Sequence, residues 1–325
     1  MATIAVIGSG AVGSFYGGLL ARAGHHVRFL MRRDLEAVRA NGLDIRSKDG
    51  DFFLPDPKVY GNPHEIGQVD WVICSLKATA LDEAYDLIRP CVGDDTRIVA
   101  FMNGLGIEDR FAGWFDGDRV FGAMAFVCIN RGQPGVVHHL DYGRVSIGHY
   151  RDDQAEAQRL YDILAPAGVE AIVAPNLLYA RWEKLCWNVP FSGLTVAAGG
   201  IDTRAILDTP SLCNVVREAI AEIVAAGNAD LAAQGSDARI DPAAMTDRMF
   251  AQTETMGAYR PSMLIDYLQR QPMETEAILG APVRRARELG VPVPTVSAIY
   301  AMVQAAGLRN GGTLRALKEA DLVIT

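Results

Sequence analysis

Short, mostly apolar runs dominate the first part of the chain, at residues 3–7, 26–30, 70–76 and 97–102. Runs of this length with so few polar breaks predict strands covered on both faces, as in a parallel sheet. Helix-compatible stretches follow the first and third runs and end near Gly24 and Arg89. Segments 120–127, 144–147 and 170–174 can complete the sheet. From Pro175 the alternation stops, and residues 211–233, 243–256, 274–289 and 295–306 read as helices parted by Gly, Pro or Asp-Pro breaks. The pattern predicts an α/β domain over residues 1–175 and an all-helical domain over 176–325.

The start of the helical half holds a second periodicity. Within the mostly apolar stretch 182–195, Lys184, Asn188 and Ser192 recur every four residues and share one face of a helix. A buried ammonium needs a partner, so an ammonium, an amide and a hydroxyl in line suit the wall of a polar pocket. The plainer alternative is a partly exposed helix whose lysine snorkels to water.

The turn after the first run reads Gly8-Ser9-Gly10-Ala11-Val12-Gly13, a G-x-G-x-x-G pattern between a strand and a helix. In such a turn Gly8 permits the tight bend, Gly10 lets a pyrophosphate approach the backbone, and Gly13 lets the helix lie close on the strand. The free N–H groups of the helix then face the phosphates. The α/β half is therefore expected to be a Rossmann-type dinucleotide-binding domain. After the second run the chain continues Met31-Arg32-Arg33-Asp34. An NAD site places an acid near this point for the ribose 2′-hydroxyl, whereas a guanidinium binds a 2′-phosphate through paired, charge-assisted hydrogen bonds. Arg32 thus favours NADP (NADPH). The alternative leaves Asp34 as an N-cap and the arginines, Arg33 above all, as solvated charges. Lys77 and Asn103 stand at the ends of the third and fourth runs, where ligands of open α/β sheets bind. A surface lysine and an Asn-Gly turn are their alternatives.

Composition narrows the partners. The 325 residues, 50% hydrophobic and 22% charged, suffice for two cores. A net charge of −8 without a basic block argues against nucleic acid or an anionic membrane and leaves small molecules. Residues 2–21 carry no charge, but five of them are glycine, so they read as strand, turn and helix rather than signal peptide or membrane span. The five cysteines form no CxxC pair and fit free thiols in a reducing cytoplasm. His138 and His139 are adjacent in a strand-like stretch, point to opposite faces, and do not make a metal pair. No metal is expected.

The separate blocks Gly8-x-Gly10-x-x-Gly13, Arg32, Ser75-Leu76-Lys77-Ala78, Met102-Asn103-Gly104, Lys184-x-x-x-Asn188, and Ser262-Met263 with Asp266 and Glu274 together resemble the ketopantoate reductase family. These are the NADPH-dependent 2-dehydropantoate 2-reductases of pantothenate biosynthesis, and the resemblance covers nearly the whole chain. It implies a 2-oxo acid substrate, with Lys184 as general acid and Glu274 supporting the active site. It implies substrate contacts at Asn103, Asn188, Ser192 and Ser262. Cofactor contacts are implied at Gly8, Ser9, Gly10, Ala11, Val12, Gly13, Arg32, Lys77 and Asn103. Ser192 stands where better-known members carry a second asparagine, and a serine grips a substrate hydroxyl differently. Glu274 also reads as an ordinary charge at a helix N-terminus. Reduction of a different 2-oxo acid stays open, as does a non-catalytic dinucleotide sensor that kept the fold. A sensor needs no general acid, so Lys184, Asn188 and Glu274 favour the enzyme. A homodimer is among the assemblies open to such a chain.

Overall fold

In the computed structural model, which describes residues 1–314, the short apolar runs pair into one ten-stranded sheet. Its strands are β1 (Thr3–Ile7), β2 (His26–Leu30), β3 (Leu43–Ser47), β4 (Phe52–Leu54), β5 (Lys58–Tyr60), β6 (Val69–Cys74), β7 (Val92–Ala100), β8 (Val120–Arg131), β9 (Val136–His149) and β10 (Ala171–Val173). The run β5-β2-β1-β6-β7-β8 is parallel throughout. This is the doubly wound order, with the chain reversing direction across the sheet between β1 and β6. Strand β9 then turns back antiparallel to β8, and β3 and β10 pair with opposite halves of its other edge.

Burial explains the apolar runs. Ile4, Ala5, Val6 and Ile7 of β1 are fully buried, and successive side chains point to opposite faces. Ile4 and Val6 join Phe15, Leu20 and Phe29 on one face, whereas Ala5 and Ile7 join Val72, Ile98 and Phe111 on the other. The sheet and its helices form one unit, Met1–Ala180, and a second unit begins at Arg181. The fold is thus α/β, a Rossmann-type sheet domain followed by a helical domain.

The helical unit is organised around the long helix Pro210–Ala233. Trp182 lies over Gly227, where a Cβ would stand 2.9 Å from its Cγ. The Trp182 indole donates to Asp230 Oδ2 at 3.0 Å, and Arg285 donates twice to Asp230 Oδ1, at 2.8 and 2.6 Å. Glu222 of the same helix accepts the backbone N–H groups of Thr295 and Val296, each at 2.9 Å. Its carboxylate thereby satisfies donors at the N-terminus of the helix Pro294–Asn310, where negative charge is favoured.

Several sequence expectations need revision. The helix expected over 274–289 is interrupted by a π-helical turn, Glu276–Gly280, before Ala281–Glu288. Pro282 cannot donate the hydrogen bond that an α-helix requires of it. Strands β3, β4 and β5 and the helix Ser262–Leu268 arise in stretches where no element was expected. No helix among the described residues is long and apolar enough to cross a membrane.

Replacing Glu222 by alanine is expected to destabilise the helical unit by about 1 kcal/mol, the usual worth of a helix cap. The check is a urea titration, in which the midpoint should fall while the slope stays unchanged.

Candidate active site

Each glycine of the first turn meets a different local demand. Gly8 has φ of +93°, and a Cβ there would lie 2.6 Å from the Leu76 nitrogen. A Cβ on Gly13 would lie 2.3 Å from Ser75 Oγ and 2.5 Å from the Gly8 carbonyl oxygen. Ser75 Oγ donates to that same carbonyl at 2.9 Å, which ties the end of β6 to the end of β1. Gly10 differs, because nothing lies within 4 Å of its would-be Cβ. The space beside Gly10 at the start of the helix Ala11–Arg22 is what a pyrophosphate needs, so these residues fit a dinucleotide. Ser9, Ala11 and Val12 are half-buried around it.

The neighbouring strand ends carry the polar candidates. Arg32, just past β2, has a side chain 71% exposed and lies 3.4 Å from Glu83. The Arg33 side chain is 73% exposed. Asp34 precedes the helix Leu35–Asn41 but makes no side-chain cap bond. Its Oδ2 accepts from Arg131, and its Oδ1 is buried without a hydrogen-bond partner. The N-cap reading of Asp34 is therefore corrected: a long-range ion pair has taken the carboxylate. Lys77 is exposed at the start of the turn Ala78–Ala80, after β6. Asn103 is half-buried after β7, where Gly104 and Gly106 take positive φ and lead into the helix Ile107–Phe115. These residues follow the carboxyl ends of β2, β6 and β7 beside the turn after β1, which makes them one row in the sheet. Burial pushes the Cys74 thiol up to about 12, so this strand end offers no thiolate. His139 is committed to structure, bonded through Nδ1 to Ser47 Oγ at 2.8 Å and through Nε2 to the Tyr142 carbonyl at 2.7 Å.

The remaining candidates belong to the helical unit. Lys184 lies on the helix Leu177–Trp187, and Asn188 and Ser192 bound the π-helical segment that continues it, Asn188–Ser192. The expectation of a uniform helical face is revised accordingly. Lys184, Asn188 and Ser192 are only 9%, 5% and 3% exposed, so the lysine does not snorkel to water. Its Nζ lies 5.8 Å from the centroid of the Trp187 ring, a favourable cation–π distance. Thr195 Oγ1 donates to the Ser192 carbonyl at 2.8 Å. The helix Ser262–Leu268, with Ser262 exposed and Asp266 buried, packs on the π segment. Glu274 is buried two residues before the second π turn, which packs against the first. The structure thus gathers the proposed cofactor residues and Asn103 on one unit, and Lys184, Asn188, Ser192, Ser262 and Glu274 on the other, where the first π turn packs against both the helix Ser262–Leu268 and the second π turn. Sequence reasoning missed the Asp34–Arg131 pair, which has no local signal, and the π turn, for which Pro190 is the local signal.

The description "ketopantoate reductase PanE/ApbA" fits the family model that matches residues 4–152, and the model of its C-terminal part matches residues 176–307. The chain belongs to the ketopantoate reductase family. It is therefore an oxidoreductase, from a family of dinucleotide-dependent reductases. A 2-dehydropantoate 2-reductase from Nostoc sp. is 33% identical over 312 residues, covering 94% of this chain and 95% of that one. The crystal structure of 2-dehydropantoate 2-reductase from Geobacter metallireducens GS-15 superposes with a TM-score of 0.90 at 39% identity, covering 94% of this chain and 99% of that one. A structure of D-mandelate dehydrogenase with NADH and anilino(oxo)acetate shares the fold, with a TM-score of 0.86 at 23% identity over 95% of this chain and 99% of that one.

The glycines predict a contrast between two variants. Gly13→Ala should lower both stability and nicotinamide dinucleotide affinity. Gly10→Ala should weaken binding while stability stays within about 0.5 kcal/mol of the parent, since the added methyl meets no protein atom. Thermal melts beside fluorescence titrations with NADPH measure both quantities. Equal loss of stability in the two variants would show Gly10 to be a packing glycine.

Proposed function

We propose that this protein reduces 2-dehydropantoate (ketopantoate) to pantoate with NADPH, and that Lys184 is the proton donor. The observation that carries the reading is the buried Lys184 ammonium on the same helical run as two further buried polar groups, Asn188 and Ser192, in a chain of this reductase family. Burying a lysine is costly unless its charge is used or compensated. A carbonyl oxygen that gains negative charge during reduction is a group for which such a lysine is suited.

When bound, the dinucleotide supplies the hydride to the ketone carbon. Lys184 Nζ hydrogen-bonds the ketone oxygen, stabilises the growing alkoxide and delivers the proton to it. The buried Glu274 carboxylate offsets the cost of a buried cation and keeps the ammonium oriented. Asn188, Ser192 and Ser262 of the helical unit hold the substrate, and Asn103 of the sheet unit stands at the end of β7, two strands from the cofactor turn. The backbone from Gly8 to Gly13 cradles the pyrophosphate.

Two features support NADPH over NADH. Arg32 is exposed at the end of β2, and its weak pairing with Glu83 leaves it able to exchange that carboxylate for a 2′-phosphate. Asp34, the nearest acid along the chain, is held by Arg131 rather than offered to a ribose hydroxyl. The five cysteines, four of them buried, suit a reducing cytoplasm. Ser192 favours one further reading, reduction of a related 2-oxo acid with a differently placed hydroxyl or side chain.

Lys184→Ala is expected to lower kcat by roughly 10²-fold, the scale of a lost general acid. Near-parental turnover with ketopantoate would remove the lysine from the mechanism. Arg32→Ala should raise KM for NADPH by about tenfold, one charge-assisted hydrogen bond's worth, and leave KM for NADH unchanged. Absorbance assays with both cofactors and a panel of 2-oxo acids read both effects. Equal parental rates with NADH and NADPH would sink the role given to Arg32.

A further inference from the structure

We infer that Pro190, through the π-helical turn it occupies, is the positioning residue that brings Ser192 into line with Lys184 and Asn188. The inference deepens the proposed function and rests on its assignment of Ser192 to the substrate. A step of four residues overshoots one α-helical turn by about 40°, so two steps of an unbroken α-helix would spread Lys184 and Ser192 across about 80° of its surface. A turn closed by bonds five residues apart is wider. A step of four then falls short of a full turn, which reverses the drift accumulated between Lys184 and Asn188.

The chain supplies the cause of the wider turn. Pro190 lies in the middle of Asn188–Ser192, the π-helical segment, and has no N–H to donate back to residue 186. Its ring would also crowd that carbonyl in an α-helix, and a local widening relieves both conflicts. The helix resumes at Gly193, whose N–H points to the carbonyls of Pro190 and Val189. Packing holds the result in place. A Cβ on Gly193 would stand 2.7 Å from Ile299 Cγ2 and 3.3 Å from Leu279, a residue of the second π turn. Ser192 is thus pinned on its C-terminal side by a close approach that only glycine allows.

The test replaces Pro190 by alanine and, to keep buried volume, by valine. Both Pro190→Ala and Pro190→Val restore an N–H and permit an α-helical turn. The expected result is a KM for ketopantoate raised about tenfold, with KM for NADPH within twofold of the parent and circular dichroism still that of a folded protein. A merely structural proline would instead lower stability and raise both KM values together. Ser192→Ala, made separately and in combination, tells the two ideas apart. If Ser192→Ala leaves KM for ketopantoate unchanged, the assignment of Ser192 fails. If it raises KM and the Pro190 variants do not, the inference about the π turn fails. In the double variant the two effects should not multiply, because both act through one hydroxyl; a multiplied effect would overturn the inference. So would failure of both Pro190 variants to fold, since the inference requires an α-helical turn to be a folded alternative here.

Discussion

With no side chain at Gly13, the helix Ala11–Arg22 comes down on the ends of β1 and β6 until a Cβ would stand 2.3 Å from Ser75 Oγ. Gly17, one turn further on, repeats the approach, since a Cβ there would stand 2.6 Å from Phe29 and 2.9 Å from Val6. This pair of small residues sets the height of the helix above the sheet and aims its free N–H groups at the point where the strand order reverses. Arg32 after β2, Lys77 after β6 and Asn103 after β7 take their positions relative to that point. Raising the helix by one methyl would displace its N-terminus from all of them at once.

The helical unit solves the opposite problem, keeping polar groups inside an apolar packing. Both tryptophans that bracket Lys184 have their indole N–H groups satisfied, Trp182 by Asp230 at 3.0 Å and Trp187 by Thr253 Oγ1 at 3.0 Å. A buried indole bonded at its polar edge has little rotamer freedom. Arg285 completes the charge balance of Asp230, and Arg248 pairs with Glu183 at 2.6 Å. The segment that carries Lys184 is therefore fixed from two sides before any ligand contributes. That rigidity is consistent with the role proposed for Lys184, since a general acid works best when held within hydrogen-bond reach of one oxygen.

The residues differ in how far the sequence exposes their roles. Strands β1, β2 and β6 and the glycine turn were legible because their signals are local: an apolar run, then a fixed glycine spacing. The helix Pro210–Ala233 was legible through its periodicity. Strands β3, β4 and β5 were not, because they are short and interrupted, and because β3 is stabilised by a remote partner, Asp44 opposite Val136 of β9. No window of sequence contains that pairing. The π turns were hidden for another reason. A spacing of four residues reads as helix whether the turn is α or π, and only Pro190 and Pro282 betray the difference.

Asp34 shows how a long-range contact can change the meaning of a local motif. Three charges in a row, Arg32, Arg33 and Asp34, leave cofactor choice ambiguous when read alone, because an acid and a guanidinium at the end of β2 favour different riboses. The acid is drawn to Arg131 at the end of β8, and its second oxygen is sealed from solvent. A sealed carboxylate cannot accept from a ribose hydroxyl without breaking an ion pair, and breaking such a pair strands a charge. The arginines keep their exposure. The strand end therefore presents cations outward and its anion inward, an arrangement that depends on a residue almost a hundred positions away.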